Sequence, residues 1–266
     1  MQYGFSIKRK CYLLSVLLMT VWLTGCVQEE FESTPSPAGN GIRFTLTVPD
    51  VNLPSVSSRT MTGTGTAKKE DEIKTVDILV FDMSKTPAVF LEWVSATGVT
   101  QDLADNSTVS FSAVLSPTTA STCIVVVANK ELDNIVSGFT KGATTKVEAM
   151  EKMLHTQTGK WLADGSTTGG YTRIPMYGEK VISKITPSMD PITGINMKRM
   201  LARIDIRNNS ATSNFTVEEV YLANYNTTGY IAPAWNTNGQ VTDPVPDTPV
   251  LPAGSGKMTE EGDAIL

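Results

Sequence analysis

The sequence predicts a mainly β protein built from antiparallel sheets. Short apolar runs bounded by turn residues follow one another over residues 76–82, 88–94, 107–115 and 123–129, a spacing typical of a β-sandwich or barrel. A strictly alternating strand precedes these runs, and one segment near residue 150 has helical spacing. The chain of 266 residues is long enough for one large domain or two ordinary ones.

The first of these strands has the clearest pattern, GIRFTLTV over residues 41–48. Successive side chains of a strand point to opposite faces, so we expect a half-buried strand. The inward positions are Ile42, Phe44, Leu46 and Val48. At about 1.5–3 kcal/mol each, their burial is worth at most roughly 6–12 kcal/mol. That is comparable to the stability of a whole domain, which is about 5–15 kcal/mol.

A segment without apolar period follows this strand. Beyond Pro49 and Pro54, Arg59 lies in the run SSRTMTGTGT, which we expect to be an exposed loop. A protease could cut there, between Arg59 and Thr60. On these residues alone, a first strand followed by a long uncut loop stays open as the simpler interpretation.

The first 25 residues have the pattern of a secretory signal peptide. Three basic residues, 8–10, precede an apolar run over 11–23 that is shorter than the roughly 20 residues of a transmembrane helix. The run ends in LTGC, which resembles the lipobox of bacterial lipoproteins. The resemblance implies cleavage between Gly25 and Cys26 and acylation of Cys26, for example with palmitate, which would anchor the protein in a membrane.

Residues 26–40 are expected to form a flexible tether. Acidic residues at 29, 30 and 32 are followed by PSPAGN, a composition that cannot build a core. The acidic residues resemble the export signal of surface lipoproteins in Bacteroides-type bacteria, and a solvated linker is the alternative. The chain has a net charge of −5, and phosphate binding requires a basic patch, so we exclude nucleic acid as a partner.

The sequence offers no catalytic or metal site. His155 is the only histidine, which rules out a histidine-based metal cluster. It ends a predicted helix in which Thr145 and Glu148 have capping-box spacing and Gly159 follows as a stop. We therefore expect a cap or surface role for His155. Cys123 begins an apolar run and is expected to be a buried thiol. We expect no enzyme activity and no cofactor.

Three further motifs lie in the second half of the chain: RIPMYG over 173–178, RMLARIDIRN over 199–208 and FTVEEVYLAN over 215–224. With the lipobox, the strand followed by an arginine, and VDILVFD in this order, the chain resembles the fimbrillin superfamily of Bacteroides-type bacteria. These proteins are type V pilus subunits with their anchor and tip subunits. The resemblance covers residues 1 to about 235.

The resemblance implies two transthyretin-like antiparallel β-sandwich domains with one short helix in the first. The chain would divide into a signal peptide over 1–25, a tether over 26–40, a first domain over 41–190 and an incomplete, Pro-rich second domain over 191–266.

The resemblance also implies a function. Family members reach the outer membrane as lipoproteins, and an arginine-specific protease cuts after an arginine beyond the first strand. A strand from another fimbrial subunit then fills the vacated groove. In this chain, the exchanged strand would carry the four inward residues above and the cut would follow Arg59. The expected locations are the outer membrane, through the lipid, and the fimbrium at the cell surface, where the protein would serve adhesion.

Two alternatives stay open. The chain could be a non-polymerising anchor or tip subunit, because its Pro-rich end after Asp243 offers no alternating segment to donate. We expect it to accept a strand but not to supply one, unless the reading frame is truncated. It could instead be a glycan-binding surface lipoprotein with Trp161, Tyr171 and Trp235 as aromatic platforms, although packing in the core also accounts for these residues.

Overall fold

The computed structural model describes residues 41–48, 71–102, 108–157, 173–201, 226–242 and 250–253, with residues 214 and 218. In chain order, the strands in these ranges are β1 (Ile42–Thr47), β2 (Val76–Asp82), β3 (Val89–Ser95), β4 (Thr97–Gln101), β5 (Thr108–Ala113), β6 (Thr122–Ala128), β7 (Leu154–Thr156), β8 (Met176–Ile182), β9 (Ile192–Asn196), β10 (Lys198–Arg199) and β11 (Thr228–Tyr230). The helices are α1 (Asp133–Val136) and α2 (Lys146–Lys152).

Two sheets pack against each other. One has the strand order β4-β5-β1-β9 and the other β10-β8-β6-β2-β3. Neighbouring strands are antiparallel, except that β1 and β9 run parallel. A separate ladder joins β11 to β7. The predicted mainly β, antiparallel sandwich is confirmed.

The five-stranded sheet has a hydrophobic core on each face. The core between the sheets joins inward residues of β1 and β5 to Ile78, Val80, Ile124 and Val126. The second core covers the opposite face and joins Leu79, Val125 and Val127 to Met150 of α2 and to Ile231. Because β6 lies in the middle of this sheet, it is buried at every position, as its continuous apolar run predicts.

At two edges of the sandwich, consecutive strands that belong to different sheets are joined by a single residue. β3 and β4 are separated by one residue at one edge, and β9 and β10 at the other. Met197 forms the second corner and is fully buried. A Cβ on Gly178 of β8 would lie 2.7 Å from Sδ of Met197 and 2.8 Å from Cγ2 of Ile195. Only glycine lets the two sheets approach this closely here.

The predicted elements agree with the structure in type, with one error at a helix end. The four apolar runs form β2, β3, β5 and β6. Thr145 and Glu148 form the predicted capping box of α2. The helix ends earlier than predicted, because Met153 is its C-cap and the next three residues pair with β11. Leu154 and His155 therefore belong to a strand and do not end the helix.

Part of the predicted domain organisation lies outside the described residues. This holds for the signal peptide, the tether and most of the predicted strands over 199–208 and 215–224. β9 and β10 lie beyond the division placed at residue 190, and they pair with β1 and β8 of the first sandwich. The second domain stays a prediction.

Candidate functional site

β1 lies in the interior of its sheet. It pairs antiparallel with β5 along its whole length and parallel with β9 on its other side. The N–H of Met197 adds a hydrogen bond of 2.8 Å to the carbonyl of Thr47. Departure of β1 would break both ladders and leave β9 without its partner in this sheet.

The inward face of β1 is built into the core, as its alternation predicts. Its three apolar side chains and that of Val48, the next residue, are each at most 4% exposed, whereas Arg43 and Thr47 are exposed. We use the term β1 groove for the space that this strand occupies between β5 and β9. Apolar core residues of these two strands line it: Val109, Phe111, Ala113, Ile192 and Ile195. The groove is therefore a seat for a strand with apolar residues at alternate positions.

Phe44 is the largest side chain that β1 places in the groove. It stacks on Phe111, which lies directly opposite on β5, with ring centroids 5.0 Å apart and an interplanar angle of 5°. Its partner on the other side is Ile192 of β9. Such an aromatic pair contributes about 0.5–1.5 kcal/mol beyond the burial of its area.

The β9 edge of the groove is irregular. Between the pairs that Phe44 and Leu46 make, β9 has one residue more than β1. Gly194 lies in this interval with φ of +70°, a conformation that glycine adopts without steric cost. The ammonium of Lys180 on β8 donates to the carbonyl of Thr193. A strand in the groove thus pairs with a regular edge on β5 and with a bulged edge on β9.

Residues 71–74, which precede β2, are held by contacts that do not involve β1. Gln101 donates to the carbonyl of Asp71 at 2.8 Å and accepts from the N–H of Ile73 at 3.0 Å. Asn129 binds a carbonyl and an N–H of the same segment at 2.8 and 3.0 Å.

Two ion pairs fix the same segment. The carboxylates of Asp71 and Glu72 pair with Arg199 and Arg173, the latter at 3.0 Å. The start of β2 is therefore attached to the sandwich independently of the strand in the groove.

Of the predicted site residues, the structure describes those of the first strand and Trp235. Trp235 makes an edge-on contact with Tyr230, with centroids 4.9 Å apart, and packs against the second core. This is the packing role that was the alternative to a glycan platform. The other predicted site residues lie outside the described ranges: Gly25, Cys26, Arg59, Thr60, Trp161 and Tyr171.

Cys123 and His155 both lie in strands and are at least partly shielded from water. Cys123 is fully buried in β6, as predicted, and burial raises the pKa of its thiol to about 11. Burial also lowers the pKa of His155, which lies in β7. Within the described ranges, no group of three or more His, Cys, Asp or Glu residues is placed to hold a metal. No helix of these ranges is long and apolar enough to span a membrane.

Sequence patterns do not predict one partly buried ion pair on the face of the five-stranded sheet that carries the second core. Lys146 is 1% exposed, and its Nζ lies 2.6 Å from Oε2 of Glu179 on β8. The hydroxyl of Tyr177 donates to the same oxygen at 2.5 Å, and the N–H of Val241 donates to Oε1 at 3.4 Å. These donors compensate the carboxylate for its loss of water. The pair joins residues 33 positions apart, so local sequence patterns do not reveal it.

The fold is a β-sandwich in which β1, an early strand of the chain, fills the interior of one sheet. The chain belongs to the family of major fimbrial subunit proteins (FimA), whose family model matches residues 42–245. This match confirms the resemblance to the fimbrillin superfamily that the sequence motifs indicate. No curated protein matches the chain.

Two solved structures from Parabacteroides distasonis ATCC 8503 are similar to the chain. A fimbrial assembly protein is 10% identical, with 74% of this chain and 68% of that chain covered and a TM-score of 0.38. A candidate cell adhesion protein is 18% identical, with 73% and 57% covered and a TM-score of 0.40. This chain thus spans little more than half of the second structure. The family assignment depends on the family match alone.

Proposed function

We propose that this chain is the precursor of a fimbrial subunit that joins other subunits by strand exchange in the β1 groove. Its role is structural and not enzymatic, and its place is the fimbrium at the cell surface. The observation that carries the proposal is the position of β1 inside its sheet. An early strand of the chain fills the interior of a sheet, and this strand and the residue after it supply four side chains to the core.

The order of elements along the chain supports release of this strand by a single cut. β1 precedes every other described strand, and Arg59 lies between it and β2. A cut between Arg59 and Thr60 separates β1 and everything before it from the sandwich. Arg43 is a poor substrate because its backbone is paired within β1.

The anchoring of residues 71–74 supports survival of the sandwich after such a cut. Their side-chain and backbone contacts reach Gln101, Asn129 and two arginines, and none of them needs β1. The vacated groove then takes an extended segment of another subunit. Main-chain hydrogen bonds on both sides supply affinity, and the side-chain positions supply specificity.

The earlier steps of the proposal depend on the sequence motifs. The signal peptide is removed between Gly25 and Cys26, Cys26 is acylated, and the lipid holds the precursor at the outer membrane until an arginine-specific protease acts. In the anchor or tip form of this proposal, the subunit joins a fimbrium without extending it. Among the described residues, the contacts of Trp235 do not favour glycan binding, because this side chain packs against the second core.

The test compares two arginines close together in the sequence. The full chain without its signal peptide is treated with an arginine-specific protease, and the new N-terminus and the assembly state are measured by Edman sequencing and sedimentation. We expect the wild type and Arg43→Ala to begin at Thr60 and to join a donor subunit. We expect Arg59→Ala to keep β1 and to stay monomeric. Normal assembly of Arg59→Ala would overturn the proposal.

A further inference from the structure

We infer that the β1 groove selects the strand that fills it by an aromatic side chain at the second of its four inward positions. The inference rests on the proposed strand exchange and names the chemistry of the partner. That partner is a segment of another subunit with alternating apolar residues and a phenylalanine in the place of Phe44.

The second inward position, which Phe44 occupies, accommodates an aromatic ring. Phe44 is 1% exposed and lies flat against Phe111, with the rings 5.0 Å apart. Register places the two residues directly opposite each other, so the stacking does not depend on a bend in either strand. An aliphatic side chain at this position would leave a void beside the face of Phe111.

The third inward position is shaped for an aliphatic side chain. Leu46 is completely buried, and its cross-strand partners are Val109 on β5 and Ile195 on β9. Close-packed interiors respond to extra volume with strain. A ring in place of Leu46 therefore costs stability, although the same ring is favourable two residues earlier.

Because of the bulge in β9, the different preferences of the second and third inward positions determine the register of a bound strand. The extra residue of β9 lies between the partners of Phe44 and Leu46. A strand that slips by two residues keeps its apolar face inward, but it moves the ring away from Phe111 and meets the bulge at another place. One aromatic side chain at the second position thus fixes the register.

The residues around Phe44 favour phenylalanine over tyrosine. The residues opposite the outward-facing positions of β1 allow many kinds of side chain. The groove residues next to Phe44 are apolar, so the hydroxyl of a tyrosine would be buried without a partner. The residues opposite the outward positions of β1 are small and hydroxylated: Ser112, Ser110 and Thr108. Polar residues of many kinds fit beside them.

The test compares the native peptide with one in which two residues are exchanged and with one in which the ring is removed. The full chain is cleaved by an arginine-specific protease, the protease is inhibited so that it cannot cut the peptide after Arg43, and the released N-terminal segment is removed by gel filtration. The product is incubated with fluorescein-labelled peptide of residues 41–48, and retained peptide is measured by anisotropy after a second gel filtration. The matched competitor carries Phe44→Leu and Leu46→Phe, so it has the same composition and the same hydropathy. A third peptide carries Phe44→Ala.

We expect the swapped peptide to bind about tenfold more weakly than the native one, and the Phe44→Ala peptide about a hundredfold more weakly. Equal binding of native and swapped peptides would overturn the inference and leave strand exchange intact. Binding of no peptide after a complete cut and removal of the N-terminal segment would instead overturn strand exchange itself. On the protein side, Phe111→Leu should reduce the preference for the native peptide, and if this variant fails to fold, the comparison on the unaltered chain decides.

Discussion

Gly178→Ala tests the corner that holds β9 beside the groove. A Cβ at this position would lie 2.7 Å from Sδ of Met197, 2.8 Å from Cγ2 of Ile195 and 3.2 Å from the carbonyl oxygen of Asn196. The last two atoms belong to a branched side chain and to backbone, which cannot move aside cheaply. Overpacking of this kind costs about 1–3 kcal/mol.

This predicted loss of stability is opposite in sign to the usual effect of replacing glycine by alanine. Replacement of glycine by alanine at an unstrained position stabilises a protein by about 0.4–1 kcal/mol, because it restricts the unfolded chain. Gly41→Ala is the matched control, since its Cβ would meet its nearest atoms at 3.4–3.6 Å, which is ordinary contact.

The assay is equilibrium unfolding in urea, followed by circular dichroism, for the wild type and both variants. We expect Gly178→Ala to lower the free energy of unfolding by about 1–3 kcal/mol, with an unchanged dependence on urea concentration. Gly41→Ala should be neutral or slightly stabilising. If Gly178→Ala were as stable as Gly41→Ala, the close approach of the two sheets at this corner would be refuted.

Three further outcomes can be measured on the same protein. Lys146→Met should lower the free energy of unfolding by about 1–3 kcal/mol, since it leaves the partly buried carboxylate of Glu179 without its cation, and an unchanged midpoint in urea would contradict this. Cys123, with its raised pKa, should resist maleimide at about pH 8 in the native state and react in urea; mass spectrometry of labelled peptides decides. Because burial lowers the pKa of His155, the unfolded chain takes up the proton first, and stability should fall as pH drops below about 6.5. His155→Gln should remove that part of the pH dependence, and equal slopes for the two proteins would count against it.

Local patterns predicted the elements whose cause is local. The alternation of β1 was sufficient because its inward face meets one core and its outward face lies at the surface. The spacing of Thr145 and Glu148 was sufficient because both partners of a capping box lie within one helical turn.

Elements that depend on distant partners could not be predicted in this way. β7 has three residues, and it is a strand because it pairs with β11, with Thr156 bonded to Thr228 72 positions away. β9 contains Gly194 in the middle of a bulge, which removes the alternating pattern from its sequence. The stacking of Phe44 on Phe111 follows from register between strands, which no single segment contains.

The position of β1 between two ladders has a mechanical consequence for a filament built by strand exchange. The hydrogen bonds of an antiparallel ladder lie across the strand, so tension along the strand loads them together in shear. A strand that is pulled sideways from an exposed edge loses its bonds one after another. Forced separation is governed by the unfolding rate and not by the equilibrium free energy. In the proposed filament, a strand held like β1, with a ladder on both sides, would therefore resist forces such as flow at the cell surface.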